Sequence, residues 1–139
     1  MQLSIRNQIP GTVTGVTPGE VMATVRVHLP GGQDIIAAVT LEAVRELGIG
    51  VGSAVRVLAK ATEVSLATGP VEGLSIRNRL TGTLMEIVLG SGLANVKVAV
   101  DDVELTAVVT REAVEELGLA PGTDVTLLIK STEIALATE

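Results

Sequence analysis

Between Val21 and Leu29 every second residue is apolar: Val21, Ala23, Val25, Val27 and Leu29 face one way, Met22, Thr24, Arg26 and His28 the other. A period of two marks a strand with one face on a core. Pro30-Gly31-Gly32 predicts a turn, and the denser apolar run Ile35–Val39 predicts a returning, more fully buried strand. The period then changes. Thr40 is placed to cap a short helix over Leu41–Leu47, with Glu42 near its positive end and Gly48 as its stop. Ala54–Ala59 and Val64–Ala67 predict two further strands. Ahead of them all, Gln2–Asn7 and Gly11–Val16 predict an opening strand interrupted or bent near Pro10-Gly11.

The second half repeats the plan. Leu93–Val100 alternates, Asp101-Asp102 turns, Leu105–Val109 returns, and Thr110 caps Arg111–Leu117 before Gly118. Val125–Ile129 and Ile134–Ala137 close the unit. The letters repeat as well: Leu3-Ser4-Ile5-Arg6-Asn7 recurs as Leu74-Ser75-Ile76-Arg77-Asn78, and Gly11-Thr12 as Gly82-Thr83. Residues 3–28 match 74–99 at 11 of 26 positions, and residues 34–68 match 104–138 at 18 of 35. The one-residue change of offset falls in the predicted hairpin turn, where length varies most freely. The chain therefore divides into two copies of one small domain, 1–69 and 70–139, with Gly69-Pro70 as linker. Five strands with one helix between the third and fourth outline a small OB-type barrel. The predicted fold class is mainly β: two tandem OB-like five-stranded barrels, each with one short helix.

Composition sharpens this picture. Neither Phe, Tyr nor Trp occurs, so the core must come from Val, Ile, Leu and Ala. Units this small bury only ~60% of their unfolded surface, so the two copies are expected to pack together and to need partner chains. Met22 and Met85 are expected to serve packing. The net charge is −6: residues 1–69 carry five basic and five acidic residues, residues 70–139 five against eleven. An acidic chain without aromatics argues against nucleic acid, which needs a basic patch or stacking platforms. With no cysteine there is no disulfide framework, thiolate nucleophile or zinc–cysteine site. No charged segment followed by an apolar run precedes the first repeat, and no apolar run approaches a membrane span. A cytoplasmic protein with no membrane partner is expected.

The candidate chemistry lies in polar residues present in both copies. Lys60 and Lys130 each end an apolar strand, followed by Ala61 or Ser131 and then Thr-Glu. Arg6 and Arg77 supply a second duplicated cation, and Ser4, Ser75, Thr40 and Thr110 supply hydroxyls. Each cation alone is as readily a solvated surface residue; recurrence at matching positions argues for a shared role. The threonines sit where helix N-terminal amides favour an anion. Such a set has many donors and few acceptors. It suits a fully deprotonated tetrahedral oxyanion, each charge-assisted bond contributing about 1.5–3 kcal/mol. His28 is unmatched by Ala99, and Asp101-Asp102 and Glu115-Glu116 form a solvated turn and helix face, so no metal site is expected. With no Ser–His–acid or Cys arrangement, the chain is not expected to be an enzyme.

Ser-Ile-Arg-Asn near the start, Val-Thr before a short helix, and Lys-Ala-Thr or Lys-Ser-Thr near the end resemble the Mop-type (TOBE) molybdate-binding domain. Two copies in one short chain resemble the di-Mop molbindins. The usual motif is Ser-Ala-Arg-Asn; Ile5 and Ile76 replace its alanine here. The resemblance implies a cytoplasmic protein that stores and buffers molybdate or tungstate without catalysis or cofactor. It also implies a homotrimer of six domains with anions held between domains. Carried over, one oxyanion site set comprises Ser4, Arg6, Asn7, Thr40, Lys60 and Ala61. The other comprises Ser75, Arg77, Asn78, Thr110, Lys130 and Ser131. Asn7 and Asn78 match the motif's asparagine, with either anion contact or bracing of the strand as their role. Ala61 lacks the hydroxyl of Ser131, so the two sets are expected to differ in affinity. The alternative function is a molybdate-sensing regulatory module that acts through a partner protein.

Overall fold

A computed structural model describes residues 1–138. Strands β1 (Asn7–Pro18), β2 (Met22–His28) and β3 (Asp34–Thr40) lead into helix α1 (Leu41–Leu47), then β4 (Ala54–Ala59) and β5 (Ser65–Ala67). The second copy supplies β6 (Asn78–Leu89), β7 (Leu93–Val100), β8 (Val103–Thr110), α2 (Arg111–Leu117), β9 (Asp124–Ile129) and β10 (Ile134–Ala137). A short 3-10 turn precedes β5 (Ala61–Glu63) and another precedes β10 (Ser131–Glu133).

Both helices form as their caps dictate. The Thr40 hydroxyl accepts from the Ala43 amide at 3.1 Å, and Thr110 does the same for Ala113 at 3.0 Å. Gly48 and Gly118 end the helices in the left-handed region at φ 64° and 62°, where glycine carries no side-chain penalty.

The strands form two antiparallel five-stranded sheets, ordered β10-β4-β1-β2-β3 and β5-β9-β6-β7-β8. Each curls so that its edges approach, β10 near β3 and β5 near β8. The fold class is therefore the expected one, two OB-like sheets each with a short helix, but neither sheet comes from one contiguous copy. β5 leaves its own copy to pair with β9, in register Ser65↔Leu128 to Ala67↔Thr126. β10 crosses the other way onto β4, Ile134↔Ala59 to Ala137↔Arg56. Because β5 and β10 occupy matching positions in the repeat, exchanging them leaves each sheet with the same kinds of strand. Periodicity is blind to such a swap.

A second reciprocal link joins the sheets. Asn7 and Asn78 are each 2% exposed. The Asn7 amide donates to Thr106 O at 2.8 Å and accepts from Thr106 N at 2.7 Å. Asn78 makes the same pair with Ile36, donating at 2.9 Å and accepting at 2.7 Å. Each side chain acts as one extra residue of strand on the other sheet. Ile36 and Thr106 match in the repeat; only their backbones are used, so the change of residue is harmless. Buried apolar residues of both sheets, among them Ile9, Val25, Ile35 and Val57 with Leu80, Val96, Leu105 and Leu127, join in one core.

Three local expectations are corrected. β1 starts at Asn7 and runs unbroken through Pro10-Gly11. Pro10 is tolerated because β1 is paired on one side there: its ladder with β4 spans Asn7–Thr12, and that with β2 begins at Thr12. The irregularity lies instead between Val13 and Gly15, and at Leu84/Glu86 in the second copy, where a bulge bends the strand. Gly11 is needed for close approach, since a Cβ there would lie 2.5 Å from Val27 Cγ1; at Gly82 it would meet Ala99 O at 2.6 Å. Val21 lies just outside β2 and is 72% exposed, and Met22 and Met85 are 43% and 54% exposed, not packed.

The asparagine clamp yields a direct prediction. Asn7→Ala leaves the buried Thr106 N–H and C=O without partners, at roughly 1–3 kcal/mol each, so stability should fall by about 3 kcal/mol. Urea unfolding measures it. A loss within the ~0.5 kcal/mol typical of surface changes contradicts the clamp.

Candidate oxyanion site

The β-ladder brings the duplicated cations together. Asn78 pairs with Ile129 and Asn7 with Ala59. Arg77 precedes Asn78 and Lys130 follows Ile129, so the antiparallel register sets them on neighbouring strand ends; Arg6 and Lys60 are related in the same way. Both lysines are extended, at φ −67° and −63°, and lead into the 3-10 turns. Such a turn leaves its leading amides, those of Ala61 and Thr62 or Ser131 and Thr132, without a partner inside it.

Beyond this shared frame the two sets differ. Ser75, Ile76, Arg77, Lys130, Ser131 and Thr132 line one shallow cleft of about 240 Å³. Among the described residues, that lining holds two cations, three hydroxyl-bearing residues and no carboxylate. The Ser131 Oγ is shut off from solvent and has no hydrogen-bond partner among the described residues. A native structure seldom leaves such a group orphaned without a reason. In the first copy, Lys60 lines a cleft with Ile5, Thr132, Glu63 and Glu133; the same two carboxylates line a further cleft with Lys130 and Ile76, on another side of that lysine from Ser75 and Arg77. Ser4 and Arg6 are exposed and line neither; Arg6 donates to Leu3 O at 3.1 Å and Ser4 O at 3.3 Å. Ala61 is half-buried beside Lys60 and offers only its backbone.

Thr40 and Thr110 line none of these clefts. Their oxygens already accept helix amides, and Leu41 N and Arg111 N donate to Val21 O at 2.8 Å and Gly92 O at 2.9 Å. What each threonine keeps for a ligand is its hydroxyl proton. Asn7 and Asn78 brace the sheets as described, with their oxygens committed to backbone N–H groups.

A model of the TOBE domain matches residues 3–66 and again 74–136. The chain belongs to the TOBE family. Among relatives, the molybdenum-pterin-binding protein MopA of Rhodobacter capsulatus is 38% identical over 141 residues, covering 99% of this chain and 52% of that protein. The molybdenum transport protein ModE of Azotobacter vinelandii is 36% identical over 138 residues, covering 99% and 51%. This chain thus spans about half the length of these two relatives. Among solved structures, the cytoplasmic molybdate-binding protein ModG with molybdate bound is 40% identical, with a TM-score of 0.97 over the whole of both chains.

Two residues of this TOBE pair carry structural roles that the repeat pattern hid. Gln33 joins the two halves, accepting from Thr81 N at 3.0 Å and donating to Thr81 O and Asp101 Oδ2 at 3.2 and 3.1 Å. Arg79 binds three backbone carbonyls beside the cleft. Neither recurs in the other copy, so a search for duplicated polar residues passes over both.

The orphan hydroxyl makes its own prediction. In anion-free protein, Ser131→Ala removes a group with no partner to lose, so stability should stay level or rise by up to ~1 kcal/mol. Thermal unfolding of the stripped protein checks this. A loss of more than about 1 kcal/mol would show that Ser131 Oγ has a structural partner.

Proposed function

We propose that this protein reversibly captures molybdate, and tungstate as its near twin, in the cytoplasm, storing and buffering the oxyanion without changing its bonds. The carrying observation is the carboxylate-free cleft of Ser75, Arg77, Lys130, Ser131 and Thr132 with its orphaned hydroxyl. The likeness to ModG, over full length with molybdate bound, supports the choice of anion. Two cations match the two negative charges of the ligand. The hydroxyls and leading amides of the 3-10 turn replace its hydration shell. Phosphate near neutral pH keeps a proton that needs an acceptor, and the lining supplies few. Sulfate has no such proton and must be rejected by size.

The second site set is Ser75, Arg77, Lys130 and Ser131, with Thr110 contributing where another domain brings it near. The first set, Ser4, Arg6, Thr40, Lys60 and Ala61, is the weaker. Asn7 and Asn78 hold the strands that carry the arginines. A homotrimer of six domains completes the assembly. It is supported by the open apolar surface of Val21, Met22, Val88, Leu89 and Leu93 and by a core without aromatic residues. Anions bound between domains would then stabilise the assembly by about 2.7 kcal/mol at a hundredfold excess over the dissociation constant. The match to half of the longer ModE favours a second reading, a molybdate-sensing unit read by a partner protein.

Calorimetric titration of stripped protein with molybdate, tungstate, sulfate and phosphate tests the main reading, with mass from light scattering. Binding of the first two alone, on a trimer, is expected, and Lys130→Ala should weaken the tighter class at least about tenfold through loss of a charge-assisted contact. Equal binding of sulfate contradicts molybdate selectivity, and absence of any binding contradicts the function.

A further inference from the structure

Arg79 has no counterpart in the first copy, where Gln8 stands at the matching position. Its guanidinium spans three backbone oxygens: Nε donates to Ile76 O at 3.0 Å, Nη1 to Val71 O at 3.2 Å and Nη2 to Leu74 O at 2.7 Å. The Leu74 and Ile76 carbonyls flank Ser75 and lie just ahead of Arg77, and both Ser75 and Arg77 line the carboxylate-free cleft. Gly73, at φ 69°, lets the segment curl around the guanidinium. A planar fork of fixed donors holds such a strip more firmly than a single contact does. In the first copy Gln8 Nε2 makes one bond, to Ile5 O at 3.0 Å, and Arg6 turns onto the carbonyls of Leu3 and Ser4.

We propose that Arg79 is a positioning residue that sets Ser75 and Arg77 before the anion arrives, so that the Lys130 cleft fills ahead of the Lys60 set. The proposal rests on the oxyanion-binding reading above. A site ordered in advance loses less freedom on binding, and a site open only part of the time binds more weakly by that fraction. Arg79 also carries a positive charge, which would draw an anion without positioning anything. A lysine in its place keeps the charge and loses the fork.

Arg79→Gln and Arg79→Lys separate these effects, read by amide hydrogen exchange over residues 71–77 in anion-free protein, molybdate titration and urea unfolding. Expected in both variants is exchange about threefold or more faster in that segment. The earlier-filling class should weaken roughly three- to tenfold, with the later class and the unfolding midpoint little changed. Unchanged exchange and affinity overturn the proposal while leaving oxyanion binding intact. Recovery of wild-type affinity by Arg79→Lys overturns it in favour of charge alone. Failure of the unaltered protein to bind molybdate removes the reading beneath it. Should the Arg79 variants fold poorly, Gln8→Arg tests the same idea by addition. It should slow exchange over residues 3–6 and tighten the later class about threefold, and no change in either overturns the proposal.

Discussion

Each sheet of this protein is finished by a strand from the other half, and everything near the candidate sites depends on that exchange. β5 and β10 cross in opposite directions, and the 3-10 turns that launch them carry the residues following Lys60 and Lys130. The turns therefore lie at the seam, against β8 and β3 of the opposite sheet. Asn7 and Asn78 stitch the same seam through reciprocal backbone bonds. A lysine, an arginine and a hydroxyl turn are thus held on rigid strand ends, although each lies next to a break in regular structure. Rigid support is what a binding constellation needs to hold its geometry.

The exchange also addresses a problem of size. Half of this chain offers a small core with no aromatic residue, and such a unit buries too little to be comfortable alone. Crossing strands fuse two thin cores into one continuous apolar cluster. Apolar residues such as Val21 and Leu93 remain exposed at the rim, beyond the reach of that shared core.

Much of this was legible from the sequence, for reasons that differ by element. Helix ends were plain because Thr40, Thr110, Gly48 and Gly118 act through local chemistry alone. Strands such as β2 and β7 are plain because one face is buried and the period shows it. The start of β1 is not legible because Pro10-Gly11 looks like a turn, while its meaning depends on which neighbours are present: an unpaired side for the proline, a close Val27 for the glycine. Strand exchange left no trace because equivalent strands trade places. The duplicated cations are legible because they recur. Arg79 and Gln33 are not, because each occurs in one copy alone.

Duplication thus produced two similar frames that have diverged in detail. One has a serine after its lysine and an arginine strut behind its Ser-Ile-Arg strip; the other has alanine and glutamine at those positions, and Glu63 and Glu133 lie near both lysines. In the proposed function the seam at Arg77, Lys130 and Ser131 holds the anion. Locating molybdenum by its anomalous X-ray scattering in crystals of the protein grown with molybdate tests it most directly. A peak within contact of Arg77 and Lys130 is expected. Molybdenum found elsewhere, with that cleft empty, would contradict it.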